Sequence, residues 1–113
     1  MKTDLVSKIN QSTAARKSRV SMSNYIIRHE DLLNKFIEIA LDLQNENHVK
    51  AFWSLELVCE KKLKLFVPYI DLFCEVLPKL KDDSAIRPAT KICMFLAKSN
   101  HRKNHKYSGY DKV

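Results

Sequence analysis

Apolar residues along this chain recur at helical spacing. Leu32, Leu33, Phe36, Ile37, Ala40 and Leu41 follow an i, i+4 pattern that places them on one side of a helix. Asn45 to Asn47 breaks the pattern and offers turn and N-cap residues. A second helix is predicted over residues 49–61. A third is predicted over residues 66–80, with Pro68 near its start, where a missing N–H costs little. Asp82 and Asp83 make a corner, and residues 84–98 read as a fourth helix whose acidic start suits its dipole. Upstream, Leu5, Val6 and Ile9 predict a short helix, and Ser12 or Thr13 caps another that runs to about Ile27. The expectation is six helices and no strands.

The middle of the chain repeats. Shifting residues 32–61 by 37 positions brings Leu33 onto Ile70, Phe36 onto Phe73, Ile39 and Ala40 onto Val76 and Leu77, and Leu43 onto Leu80. Beyond the helix the shift brings Asn45-Glu46 onto Asp82-Asp83, then Val49-Lys50 onto Ile86-Arg87 and Leu55 onto Ile92. A matched corner between two matched helices defines a two-helix unit. The division expected is an irregular N-terminal helical pair at 1–29, two repeats at 30–64 and 65–98, and a basic tail at 99–113. The shift fails over 1–29, as suits a degenerate capping unit.

Composition agrees with helices. Gly109 is the single glycine and there are three prolines, so strands have little punctuation. At 45% hydrophobic residues the chain can bury a core. No apolar run approaches the ~18 residues of a membrane span, no targeting segment is visible, and a cytoplasmic protein is expected. Cys59, Cys74 and Cys93 all sit in apolar surroundings with no CxxC pair, which predicts buried free thiols in a reducing compartment.

The net charge of +7 is uneven. By segment it is +5 over 1–29, −2 over 30–64, +1 over 65–98 and +3 over 99–113. Basic ends around a balanced middle permit attraction to phosphates without requiring nucleic acid.

The stretch FVPYIDLFCEVLPKLKDDSAIRPATKICMFLAKS resembles a HEAT repeat. Such repeats carry a proline near the start of their first helix, a short acidic corner, then a Val/Ile-Arg pair and an alanine on the second. Pro68, Asp82-Asp83, Ile86-Arg87 and Ala89 stand at those positions. The preceding unit, HEDLLNKFIEIALDLQNENHVKAFWSLELVCEK, fits more loosely, with Lys50 for the arginine and no proline. The resemblance covers about residues 30–98. It implies an all-α superhelix of stacked helical hairpins, an armadillo-like solenoid whose second helices line a concave binding face. More narrowly, AFWSLELVCE followed by DDSAIRPATKICMFL is similar to small bacterial HEAT-like proteins that carry the name adenylosuccinate lyase. The lyases have a mobile serine loop of the SSxMPxKxN kind. Ser21-Met22-Ser23-Asn24 lacks its proline and lysine.

Several residues are candidates for chemistry. Under the 37-residue shift Lys50 aligns with Arg87, Ser54 with Lys91 and Lys61 with Lys98. Each set shares one helical face and together they form a basic ladder for phosphates or an acidic peptide. Arg87 also has a structural role open to it, reaching Asp83 or the corner carbonyls. Pro88 lies early enough in its helix to sacrifice at most one hydrogen bond. Glu56 interrupts an apolar stretch and needs a partner, for which Lys91 is the expected choice, or else it is a functional carboxylate. Trp53 reads as inter-helix core, or as a binding hot spot where exposed. His101 and His105 would need a third ligand to hold a metal, and the plainer reading is a basic tail. No glycine-rich phosphate loop, HExxH or GxSxG occurs.

The function expected is a non-enzymatic interaction module that binds protein or peptide on its concave face, with no cofactor and no membrane. The alternative is a nucleic-acid binder using the ladder. An enzyme fragment of the lyase type is a third, weaker reading. Self-association through the C-terminal end is compatible with an uncapped stack.

Overall fold

The computed structural model describes residues 2–102. Six α-helices account for most of them: α1 (Lys2–Gln11), α2 (Arg16–Arg28), α3 (Leu33–Leu41), α4 (His48–Lys61), α5 (Ile70–Val76) and α6 (Asp83–Arg102). There are no strands among the described residues.

The helix starts follow local chemistry, with some departures from expectation. Neither Ser12 nor Thr13 is the N-cap of α2. Ala15 is, while Ser12 Oγ donates to the Ile9 carbonyl (2.6 Å) at the end of α1, and Thr13 N–H donates to Ser18 Oγ (2.9 Å). The expected helix over 66–80 is three pieces. A 3-10 turn at Val67–Tyr69 holds Pro68, α5 spans only Ile70–Val76, and a second 3-10 turn at Leu77–Lys79 holds Pro78. A proline has no N–H for the helical ladder and its ring crowds the preceding turn, so Pro78 ends α5. Pro88 behaves differently. It is buried and α6 runs through it to Arg102. It follows the helix start by five residues, so only the bond to the Ser84 carbonyl is forfeited.

The two corners match in detail. Asn45 Oδ1 accepts the Asn47 N–H at 2.8 Å, and Asp82 Oδ1 accepts the Ser84 N–H at 2.9 Å. Both are Asx turns, in which a short side chain stands in for the backbone acceptor. The two acceptors lie 37 residues apart, the sequence shift itself.

α4 is the centre of the molecule. It packs on α3 as an antiparallel pair, on α2 and on α6, with a lighter contact to α1. It is therefore apolar almost all round: Ala51, Phe52, Leu55, Leu57, Val58 and Cys59 are all buried. Phe36, Ile37 and Ala40 of α3, Ile26 of α2, and Ala85, Ala89 and Ile92 of α6 close over it. Phe73 and Phe66 extend the cluster, meeting edge-on at 5.3 Å. His48 fastens the α3–α4 corner. Its Nδ1 lies 2.7 Å from the Ala40 carbonyl and its ring meets Phe52 edge-on at 5.3 Å.

The radius of gyration is 13.7 Å, close to the ~13 Å of a 100-residue globule. The molecule is a compact all-α globule around one core.

The expectation that all three thiols are buried fails at Cys74, which is exposed because α5 is short and lies on the periphery. Cys59 is buried, and that burial, with Glu56 nearby, pushes its thiol far above the ordinary range. Cys93 is half-buried. Desolvation raises its thiol, with a smaller contribution from Cys74.

Candidate interaction surface

The positions aligned by the 37-residue shift do not share an environment. On α4, Lys50, Ser54, Leu57 and Lys61 fall at i, i+4, i+7 and i+11, one face of the helix. Helices α1 and α2 cover this face. Lys50 Nζ donates to the Asn10 carbonyl at 2.6 Å, on the last turn of α1. Lys61 Nζ donates to Asn24 Oδ1 of α2 at 2.7 Å. Between them Ser54 is 0% exposed and Leu57 1%. The Ser54 hydroxyl has no hydrogen-bond partner among the described residues.

The corresponding face of α6 carries Arg87, Lys91, Met94 and Lys98, and all four are exposed. Met94, aligned with Leu57, is 49% exposed. α6 buries its opposite side, Ala85, Pro88, Ala89 and Ile92, against the core. No ion pair involves Arg87, Lys91 or Lys98 among the described residues. The expected bond from Arg87 to Asp83 is not formed among the described residues, and Arg87 is exposed. At 1.5 Å per residue the stripe from Arg87 to Lys98 is roughly 16 Å long.

The expected ladder is thus divided. Its α6 rungs are open, whereas its α4 rungs are engaged or buried: Lys50 and Lys61 hold α1 and α2, and Ser54 reaches no solvent.

Glu56 is paired, though not with Lys91. Arg19 of α2 sits 3.9 Å away, with side chains 26% and 12% exposed respectively. The physical reason is the position of α2 beside α4, which puts a cation next to Glu56 before α6 can offer one. Arg19 lies 37 residues before Glu56, and Asn24 lies 37 before Lys61. Both of these contacts between α2 and α4 therefore span 37 residues. Trp53, on α4, is half-buried, between the two environments expected for it.

Elsewhere, a shallow depression lies between α1 and α2, lined by Lys8, Ser12, Ser18 and Tyr25 among others. The Lys8 ammonium rests over the Tyr25 ring, 4.7 Å from its centre, which accounts for that lysine. No cluster of three or more His, Cys, Asp or Glu side chains capable of holding a metal occurs among the described residues. The expected tail begins inside α6, since residues 99–102 continue that helix. The side chains of residues 100–102, His101 included, and all of residues 103–113, His105 included, lie outside the described residues. No helix among the described residues is long and apolar enough to cross a membrane.

His48 is the residue that sequence reading overlooked. The available signal was a histidine at the first helical position directly after an Asx corner.

Comparison with protein-family models, curated proteins and solved structures finds no match to this chain.

Proposed function

We propose that this protein is a non-enzymatic interaction module, a short HEAT-like stack of helical units that binds protein or peptide on an exposed helix face. The observation that carries the reading is the pair of equivalent faces with opposite fates. The face of α4 is covered by a helix pair, and its counterpart on α6 is open, cationic and centred on an exposed methionine. The aligned Asx turns at Asn45 and Asp82 and the lateral α2–α4 contacts at 37 residues support the repeat reading. Units of this kind bury their faces by stacking on neighbours, so an open face at the end of a series is a natural docking surface.

The nucleic-acid alternative draws less support. A two-helix ladder would present cations across a broad surface, but Lys50 and Lys61 are already engaged with oxygen atoms of Asn10 and Asn24, and Ser54 is buried. One narrow stripe interrupted by Met94 is a poor track for a phosphate backbone.

The test is a selection of displayed random 15-residue peptides on the immobilised protein. It is run beside fluorescence anisotropy with labelled DNA and RNA oligonucleotides at about 50 and 200 mM salt. Enrichment of a peptide class with weak oligonucleotide binding is the expected result. Micromolar oligonucleotide binding that collapses with salt, and no enriched peptide, replaces this reading with the nucleic-acid one.

A further inference from the structure

We infer that the outer face of α6 is the docking site and that its occupant is an acidic amphipathic helix of a partner protein. The inference rests on the interaction-module reading and specifies its site and partner chemistry. Three observations lead to it.

First, the shape of the vacancy is given by the molecule itself. On α4 the two middle positions, Ser54 and Leu57, are buried, and the lysines at either end reach oxygen atoms on α1 and α2. On α6 a cation again stands at each end, Arg87 and Lys98, with Met94 at the place of Leu57. A helix laid on this face would bury Met94 as α1 and α2 bury Leu57. Methionine is suited to that role because its unbranched side chain adapts to irregular partners.

Second, charge decides what kind of helix. Lys91 replaces the buried Ser54, so the open face holds three cations with no ion-paired acid among the described residues. A covering segment would enclose these charges and must supply carboxylates to them, since burying unpaired ammonium and guanidinium groups is costly. Arg87 offers a fork that a carboxylate meets in two places.

Third, a second copy of the chain is a poor occupant. Its own covering unit, residues 1–29, carries a net charge of +5. Stacking that unit on the α6 stripe of a neighbour sets like charges against each other. Electrostatic complementarity selects a partner of opposite sign.

The experiment uses the full chain, labelled with ¹⁵N. The probe is a synthetic 15-residue helical peptide with Glu at positions spaced i, i+4 and i+11 and Leu at i+7. Its companion has Gln in place of each Glu. Expected are amide shift changes confined to α6 and binding at least 10-fold weaker for the Gln peptide. In Arg87→Glu/Lys91→Glu/Lys98→Glu protein, affinity should also fall at least 10-fold, while its far-UV spectrum and urea midpoint stay close to those of the parent. Lys35→Glu, at a partly exposed position on α3, should bind as the parent does. The single change Met94→Glu provides a second variant at an exposed position should the triple one unfold, and it should also weaken binding. Equal affinity for the Glu and Gln peptides, shift changes centred on Trp53, or no shift changes at all would overturn the inference. Shift changes on α6 with a 15-nucleotide DNA but not with the peptide would also overturn it. The two proposals fail separately. Enriched peptides that shift residues around Trp53 leave the interaction module standing and move its site.

Discussion

Leu57→Ala and Met94→Ala form a matched pair of perturbations. The two positions are 37 residues apart and aligned by the sequence shift, yet Leu57 is 1% exposed and Met94 49%. Truncating a leucine removes about three carbon groups, or about 2 kcal/mol of transfer free energy at ~0.8 kcal/mol each. The cavity left beneath α1 and α2 brings the cost into the range of about 2–5 kcal/mol. At Met94 half of the side chain is already in water and no enclosed void is created. The expected loss there is below about 1 kcal/mol. Against a total stability of about 5–15 kcal/mol, the first change is severe and the second minor. Urea unfolding followed by far-UV circular dichroism measures both. With a slope of roughly 1–3 kcal/mol per molar, a difference of at least about 1 kcal/mol separates the two midpoints by at least about 0.3–1 M. Losses that agree within ~0.5 kcal/mol would refute the assignment of one face as covered and the other as open. The proposal for α6 would then lose its basis.

Three further outcomes are expected. Lys50→Ala should release the end of α1, raising amide hydrogen-exchange rates in α1 selectively and costing under about 1 kcal/mol, because the contact is exposed. A double-mutant cycle between Arg19 and Glu56 should give a coupling of about 0.5–1 kcal/mol, and a cycle between Lys91 and Glu56 should give none within error. Cys59 binds its proton more tightly folded than unfolded, so unfolding releases that proton once pH exceeds the ordinary thiol value of 9.0. Its contribution is intact below that pH and declines above it, by up to about 1.4 kcal/mol per pH unit. Cys59→Ala protein should therefore show a shallower loss of stability between pH 9 and 10.5 than the parent.

Much of the helical framework was legible. The spacing of Leu33, Phe36, Ile37 and Ala40 marks α3, and those residues are buried as the pattern requires. The corners were legible too, because Asn45 and Asp82 do the same local work wherever the rest of the helix packs. The break in α5 was written in Pro78, but an apolar spacing that runs on through Leu77 and Leu80 conceals it. What periodicity cannot convey is which neighbour covers a face. Leu57 and Met94 are both apolar at aligned positions, and only the placement of α1 and α2 separates their environments. The same holds for Glu56. Its need for a cation could be read, but the choice of Arg19 over Lys91 depends on the side of α4 that α2 occupies.

The corners have an evolutionary consequence. No described residue has a positive φ, and neither Asx corner contains glycine. Every bend among the described residues is thus made from conformations open to any L-amino acid. Replacing Asn45 or Asp82 by another residue would forfeit one side-chain hydrogen bond, about 1 kcal/mol, and would meet no steric barrier. Lineages sharing this architecture can drift at their turns without leaving the invariant glycines that normally betray common ancestry. Their kinship would then be recorded in the order of buried and open helix faces more durably than in residue identity.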